Sequence, residues 1–77
     1  MAREKDFEAI VARFKKIIGP VAQTIAAEAA SEAGAKVEGG KVSISSEQQF
    51  QSAISRLKEK IGRIIGPALA ENIIKQG

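Results

Sequence analysis

A chain of 77 residues with 12 Lys and Arg against 9 Asp and Glu, a formal charge of +3 and neither Cys nor His reads as one small, mildly basic domain. A domain this short buries only roughly 60% of its unfolded surface, and the missing residue types exclude disulfides and any Cys- or His-based metal site as reinforcement. Helix packing or association with another chain is left to stabilise it.

The first residues, "MAREKDFEAIV", are charged and then amphipathic. They lack the continuous apolar stretch of a secretory signal. Apolar residues then recur at Phe7, Val11, Phe14, Ile18, Val21 and Ile25, in steps of 4, 3, 4, 3, 4, with Ile10 and Ile17 widening the stripe. This is the spacing of one helix face turned to a core. Glu4, Glu8, Ala12 and Lys15 fall on the other side. The Ala-rich run "AAEAASEAG" extends the predicted helix to about Ala33, with Gly34 just past its end.

The next segment, "AKVEGGKVSIS", holds Gly39-Gly40 between Val37 and Val42. Gly-Gly suits a tight hairpin turn, and Val37, Val42 and Ile44 suit two very short strands. A plain linker is the alternative. A second helix is predicted after "SSEQQF", where Ser45 or Ser46 caps it and Gln48 or Gln49 completes a capping box. Its stripe is Phe50, Ile54, Leu57, Ile61, Ile64 and Ala68, with Ile65, Leu69 and Ile73 on a neighbouring row. The fold class expected is therefore mainly all-α, in a single domain spanning 1–77.

Both halves carry the same helix breaker. At an offset of 47 residues, Ile17-Ile18-Gly19-Pro20 falls on Ile64-Ile65-Gly66-Pro67. The chain thus reads as a pseudo-repeat, 3–34 and 46–76, around a connector, 35–45. Proline inside a helix costs roughly 3 kcal/mol. A helix that stops at the glycine and restarts at the proline avoids that cost; one that bends there is the other solution. Since the apolar spacing runs through Gly-Pro without interruption, the expectation is two bent or broken amphipathic helices with one face kept inward. Gly19, Pro20, Gly66 and Pro67 are the structural elbows. Phe14 and Ile61, one turn before them, are predicted core.

No His, Cys or Tyr is present to serve as acid, base or nucleophile, and no Ser has a His partner. The pairs Glu4/Glu8 and Glu28/Glu32 lie at helical spacing and read as solvated faces. "EGGK" lacks the spacing of a phosphate-binding loop. The chain is expected to be no enzyme and to bind no cofactor. Its basic residues gather before the elbows: Arg13, Lys15 and Lys16, then Arg56, Lys58, Lys60 and Arg63. Arg13, Lys16, Arg56, Lys60 and Arg63 are the candidates for anion binding, against a plainer reading as solubilising charge. The three Phe are the only aromatic residues, a poor platform for stacking bases.

The stretch "FKKIIGPVAQTIAAEAASEAG" and the ending "IIGPALAENII" resemble a small helical domain at the ends of bacterial signalling proteins, such as serine/threonine kinases and response-regulator-like proteins. That family carries an Ile-Gly-Pro-Ile/Val-Ala signature, matched here by Ile18-Gly19-Pro20-Val21-Ala22. The resemblance covers roughly residues 7 to 76 and implies a regulatory or interaction module without catalysis.

The leading expectation is thus a non-catalytic helical interaction module of a bacterial cytoplasm. It forms a homo-oligomer, a dimer first of all, or binds another signalling protein. The candidate interface is Ile17, Ile65 and Ile73, which flank the main stripes. A small basic nucleic-acid-binding protein is the alternative, and an amphipathic membrane-surface protein a third. No run is apolar and long enough to span a bilayer.

Overall fold

The computed structural model describes residues 3–39 and 41–76. It contains α1 (Glu4–Ile18), α2 (Val21–Glu32), β1 (Lys36–Glu38), β2 (Lys41–Ser43), α3 (Glu47–Ile65) and α4 (Pro67–Lys75). The protein is mainly all-α, and each half is a broken helix with its elbow at Gly-Pro.

Each helix end is explained by its local sequence. α1 carries Glu4 and Asp6 in its first turn and Lys15 and Lys16 in its last, matching the helix dipole at both ends. α2 closes with a Schellman pair: the Ala35 N–H donates to the Ala30 carbonyl at 2.9 Å and the Gly34 N–H to the Ser31 carbonyl at 3.0 Å. α3 opens on Ser46, whose Oγ accepts the Gln49 N–H at 3.1 Å, while Gln49 Oε1 accepts the Ser45 N–H at 2.8 Å. The choice between Ser45 and Ser46 thus falls to Ser46, and Gln49 answers it.

The connector is a hairpin. β1 and β2 pair antiparallel with Lys36 opposite Ser43, Val37 opposite Val42 and Glu38 opposite Lys41. Val37 and Val42 pack on the core, and the charged residues face out. Gly40, half of the Gly-Gly pair, lies outside the described residues. Two three-residue strands are too little to stand alone. They are held by the Glu4 carboxylate, which accepts the Ile44 N–H at 2.8 Å, and by the burial of Ala35 and Ile44.

The elbows are full breaks. Gly19 has φ 81° and ψ −166°, and Gly66 has φ 96° and ψ 142°. Residues with side chains are strained in this region. Pro67 then opens α4 at its first position, and Pro20 lies immediately before α2. An added Cβ at either glycine would meet nothing within 4 Å, so backbone conformation alone demands glycine here.

The breaks also change which residues face inward, and this corrects the uninterrupted stripe expected from the spacing. Before the first elbow Phe7, Ile10 and Phe14 are buried; after it Val21 is 47% exposed and Ala22 fully buried. Before the second, Phe50, Ile54, Leu57 and Ile61 are buried and Ile64, in the last turn of α3, is 56% exposed; after it Ala70 and Ile73 are buried while Ala68 and Leu69 face solvent. A bend would have preserved the register. A glycine at positive φ re-aims the next helix and starts a new one.

The core joins all four helices, with Phe7, Phe14, Leu57 and Ile61 its largest fully buried side chains. α2 contributes only alanines to the buried set (Ala22, Ala26, Ala29 and Ala30) and packs most extensively on α3. Small side chains let the two helix axes approach closely.

Two predictions follow from this packing. Phe14→Ala and Ile61→Ala should each cost about 2–5 kcal/mol, read as a shift in urea midpoint. Gly66→Ala should cost about 1–3 kcal/mol from backbone strain alone, whereas Pro67→Ala should change stability by less than about 1 kcal/mol, since many residues fit the first helical position. A Gly66→Ala protein as stable as the wild type would contradict the elbow geometry.

Candidate functional site

The most distinctive surface features adjoin the elbows. Ile17 (49% exposed) and Val21 (47%) bracket Gly19-Pro20, and Ile64 (56%) and Leu69 (46%) bracket Gly66-Pro67. Ile17 and Ile64 are repeat-equivalent at the offset of 47, so the same exposure recurs in both halves. Of the three interface residues expected from sequence, Ile17 is exposed, Ile65 is half-buried against the core, and Ile73 is buried at 3%. Ile73 is therefore a core residue and no part of a free surface. The second elbow turns α4 so that Ile73 points inward and Leu69 outward. Val21, Ile64 and Leu69 were hidden from sequence reasoning because they continue the core periodicity; their closeness to a Gly-Pro step was the only available signal.

The five candidate anion-binding cations do not form one free basic patch. Arg13 donates from Nη1 to the Ile73 carbonyl at 3.1 Å, satisfying a carbonyl near the end of α4. Arg56 and Lys60 both reach Glu32, at 3.3 and 2.9 Å. Arg63 lies 3.9 Å from Glu59. Lys16 is exposed near the end of α1. Arg13 and Lys60 are themselves repeat-equivalent, and each crosses from the first helix of one half to the second helix of the other. These cations therefore tie the halves together.

No polar or charged residue is buried among the described residues. Two carboxyls shift, and both go down. Lys60 hydrogen-bonds Glu32 and, with Arg56 nearby, holds it below its ordinary value of 4.5. The charges of Lys58 and Lys75 do the same for Glu71. No group of His, Cys, Asp and Glu able to hold a metal ion occurs among the described residues, and no helix is long and apolar enough to cross a membrane.

A second feature is an open groove of about 320 Å³ between α1, α2 and β2. Phe7 and Ala26 form its floor, Val11, Ala27 and Val42 its walls, and Glu8, Lys15 and Gln23 its rim. Sequence reasoning missed it because it is made by small residues, which alone carry no signal. Comparison of the chain with known protein families, curated proteins and solved structures returned no match.

The Glu32 and Glu71 pairs imply a sign for acid sensitivity. Both carboxyls titrate lower in the folded state, so their contribution is present above the unfolded value of about 4.5 and is lost as pH falls through the folded values. A double Glu32→Gln, Glu71→Gln variant should lose stability less steeply than the wild type between about pH 5 and about pH 3. Urea melts across that range provide the check; identical slopes would mean that the pairs are not formed.

Proposed function

We propose that this chain is a non-catalytic helical protein–protein interaction module that associates with itself through apolar surface beside its elbows. The observation that carries this reading is the pair of apolar knuckles, Ile17/Val21 and Ile64/Leu69, each about half exposed. Isolated apolar side chains on a surface are ordinary. Here Ile17 and Ile64 stand at equivalent positions in the two halves, each with a second exposed apolar residue, Val21 or Leu69, just beyond the elbow. Clustered exposed apolar surface on a small domain is characteristic of interfaces.

The engagement of Arg13, Arg56, Lys60 and Arg63 with acceptors of the same chain weighs against nucleic acid as the partner, since each phosphate contact would have to displace one of them. The Ile-Gly-Pro-Val-Ala signature, which resembles one in domains of bacterial signalling proteins, is the support for proposing a regulatory role in a bacterial cytoplasm.

Sedimentation velocity over a range of protein concentrations tests the reading. The chain should associate as concentration rises, persist as an oligomer at about 0.5 M salt, where exposed charges are screened, and leave the sedimentation of a DNA duplex unchanged. A monomer whose DNA binding falls steeply with salt, as counterion release requires, would overturn the proposal in favour of a nucleic-acid-binding protein.

A further inference from the structure

We propose that two copies of this chain exchange halves by opening the turn at Gly39, so that α1, α2 and β1 of each copy pack on β2, α3 and α4 of the other. This inference is independent of the self-association reading above, because the exchange uses the interior of the fold and none of the exposed apolar surface beside the elbows.

The halves hold each other across an interface that a second copy completes equally well. The largest fully buried side chains come from both: Phe7 and Phe14 from the first, Leu57 and Ile61 from the second. α2 packs on α3, and α1 meets α4. Polar contacts cross as well. Arg13 donates to the Ile73 carbonyl at 3.1 Å, and Glu4 accepts the Ile44 N–H at 2.8 Å. Arg3 stands 3.1 Å from Glu47, and Lys60 2.9 Å from Glu32. All of these survive an exchange, since each half meets the same surface on another copy. A half without a partner would leave its share of the core in water.

The hinge is equally specific. Gly39, at the end of β1, has φ 55°, and an added Cβ there would meet nothing within 4 Å. Glycine passes between this conformation and extended backbone at little cost. The strand register is also its own complement. Lys36 lies opposite Ser43, Val37 opposite Val42 and Glu38 opposite Lys41. Two copies of this segment laid antiparallel on a twofold axis therefore make the same pairs, twice over. Glu38 still faces a Lys41, an attractive cross-strand pair. The exchanged dimer thus keeps the core, the ladder and the crossing ion pairs. It loses only the freedom given up on association, so it grows with concentration.

The test follows which chain each half comes from. Equal amounts of isotope-labelled and unlabelled chain are unfolded together in urea and refolded at high concentration, and the dimer is isolated by gel filtration. A water-soluble carbodiimide then joins Glu32 to Lys60 across the halves and Glu71 to Lys58 within the second half, where the charged groups stand 2.9 Å and 3.4 Å apart. After proteolysis, about half of the Glu32–Lys60 peptides should combine a labelled and an unlabelled piece, as random pairing of exchanged chains requires. The Glu71–Lys58 peptides should be unmixed. Gly39→Val, strained at φ 55°, should raise the dimer association constant at least about tenfold, because exchange relieves the turn in both copies. Gly39→Ala serves if Gly39→Val does not fold. Unmixed Glu32–Lys60 peptides in the dimer, or a wild type and a Gly39 variant that both stay monomeric after refolding, would overturn the exchange. An unmixed dimer that Ile64→Glu dissociates supports the elbow reading alone. A mixed dimer that Ile64→Glu leaves intact, obtained from a native chain that stays monomeric until unfolded, supports the exchange and overturns the elbow reading.

Discussion

The architecture depends on one backbone constraint, the positive φ of Gly19 and Gly66 immediately before a proline. Proline disfavours helical conformation in the residue before it, so neither helix continues smoothly through the step. Glycine converts that restriction into a sharp redirection that side-chain-bearing residues tolerate poorly. The result is four helices in place of two, each short enough to fold back over a common core. In a chain of this length, two uninterrupted helices would have buried one stripe against another and left both ends uncovered.

The core shows how the redirected helices are made to fit. Bulky side chains come mainly from α1 and α3, with Phe7, Phe14, Leu57 and Ile61 excluded from solvent. α2 answers with alanines, which cost little conformational entropy on burial and let it lie close to α3. The ion pairs do a different job. Glu32 and Glu71 sit on the surface among Lys60, Arg56, Lys58 and Lys75, where pairs are screened and contribute modestly. Their reach between elements favours one arrangement of the helices over others with the same apolar burial. Arg3 acts similarly at the other end, with its guanidinium 3.9 Å over the Phe50 ring and its Nε 3.1 Å from Glu47, joining the start of α1 to the start of α3.

The same geometry that makes the core also makes the exposed surface. Each elbow turns a segment whose apolar residues run without a gap, so some of them are rotated out of the interior. This is how Leu69 comes to lie in solvent although it belongs to the most apolar part of the chain. The internal repeat then supplies an asymmetry. Where the second half fills its own space with Ile73 and Ile74, the first half has Ala26 and Ala27 and is left with an open groove.

Much of the fold was legible in the sequence. Helical apolar spacing marked both halves, the Ser-Ser-Glu-Gln-Gln run marked the start of α3, Gly34 marked the end of α2, and repeated Gly-Pro marked the elbows. Phe14 and Ile61 were legible as core because they lie on the apolar stripe a full turn before the breaks; Ile64, in the last turn, is exposed although it continues that stripe. The hairpin was only one of two readings, since three-residue strands are decided by what they pack against. Which residues face inward after each elbow was not legible. Periodicity assumes that the helix axis continues, and a glycine at positive φ ends that assumption at Val21 and again at Pro67. The identity of the elbows was thus written in local chemistry, where proline and glycine restrict the backbone directly. The burial of Ile73, the exposure of Leu69 and the opening of the groove were decided by tertiary structure, because each depends on the direction in which one helix leaves another.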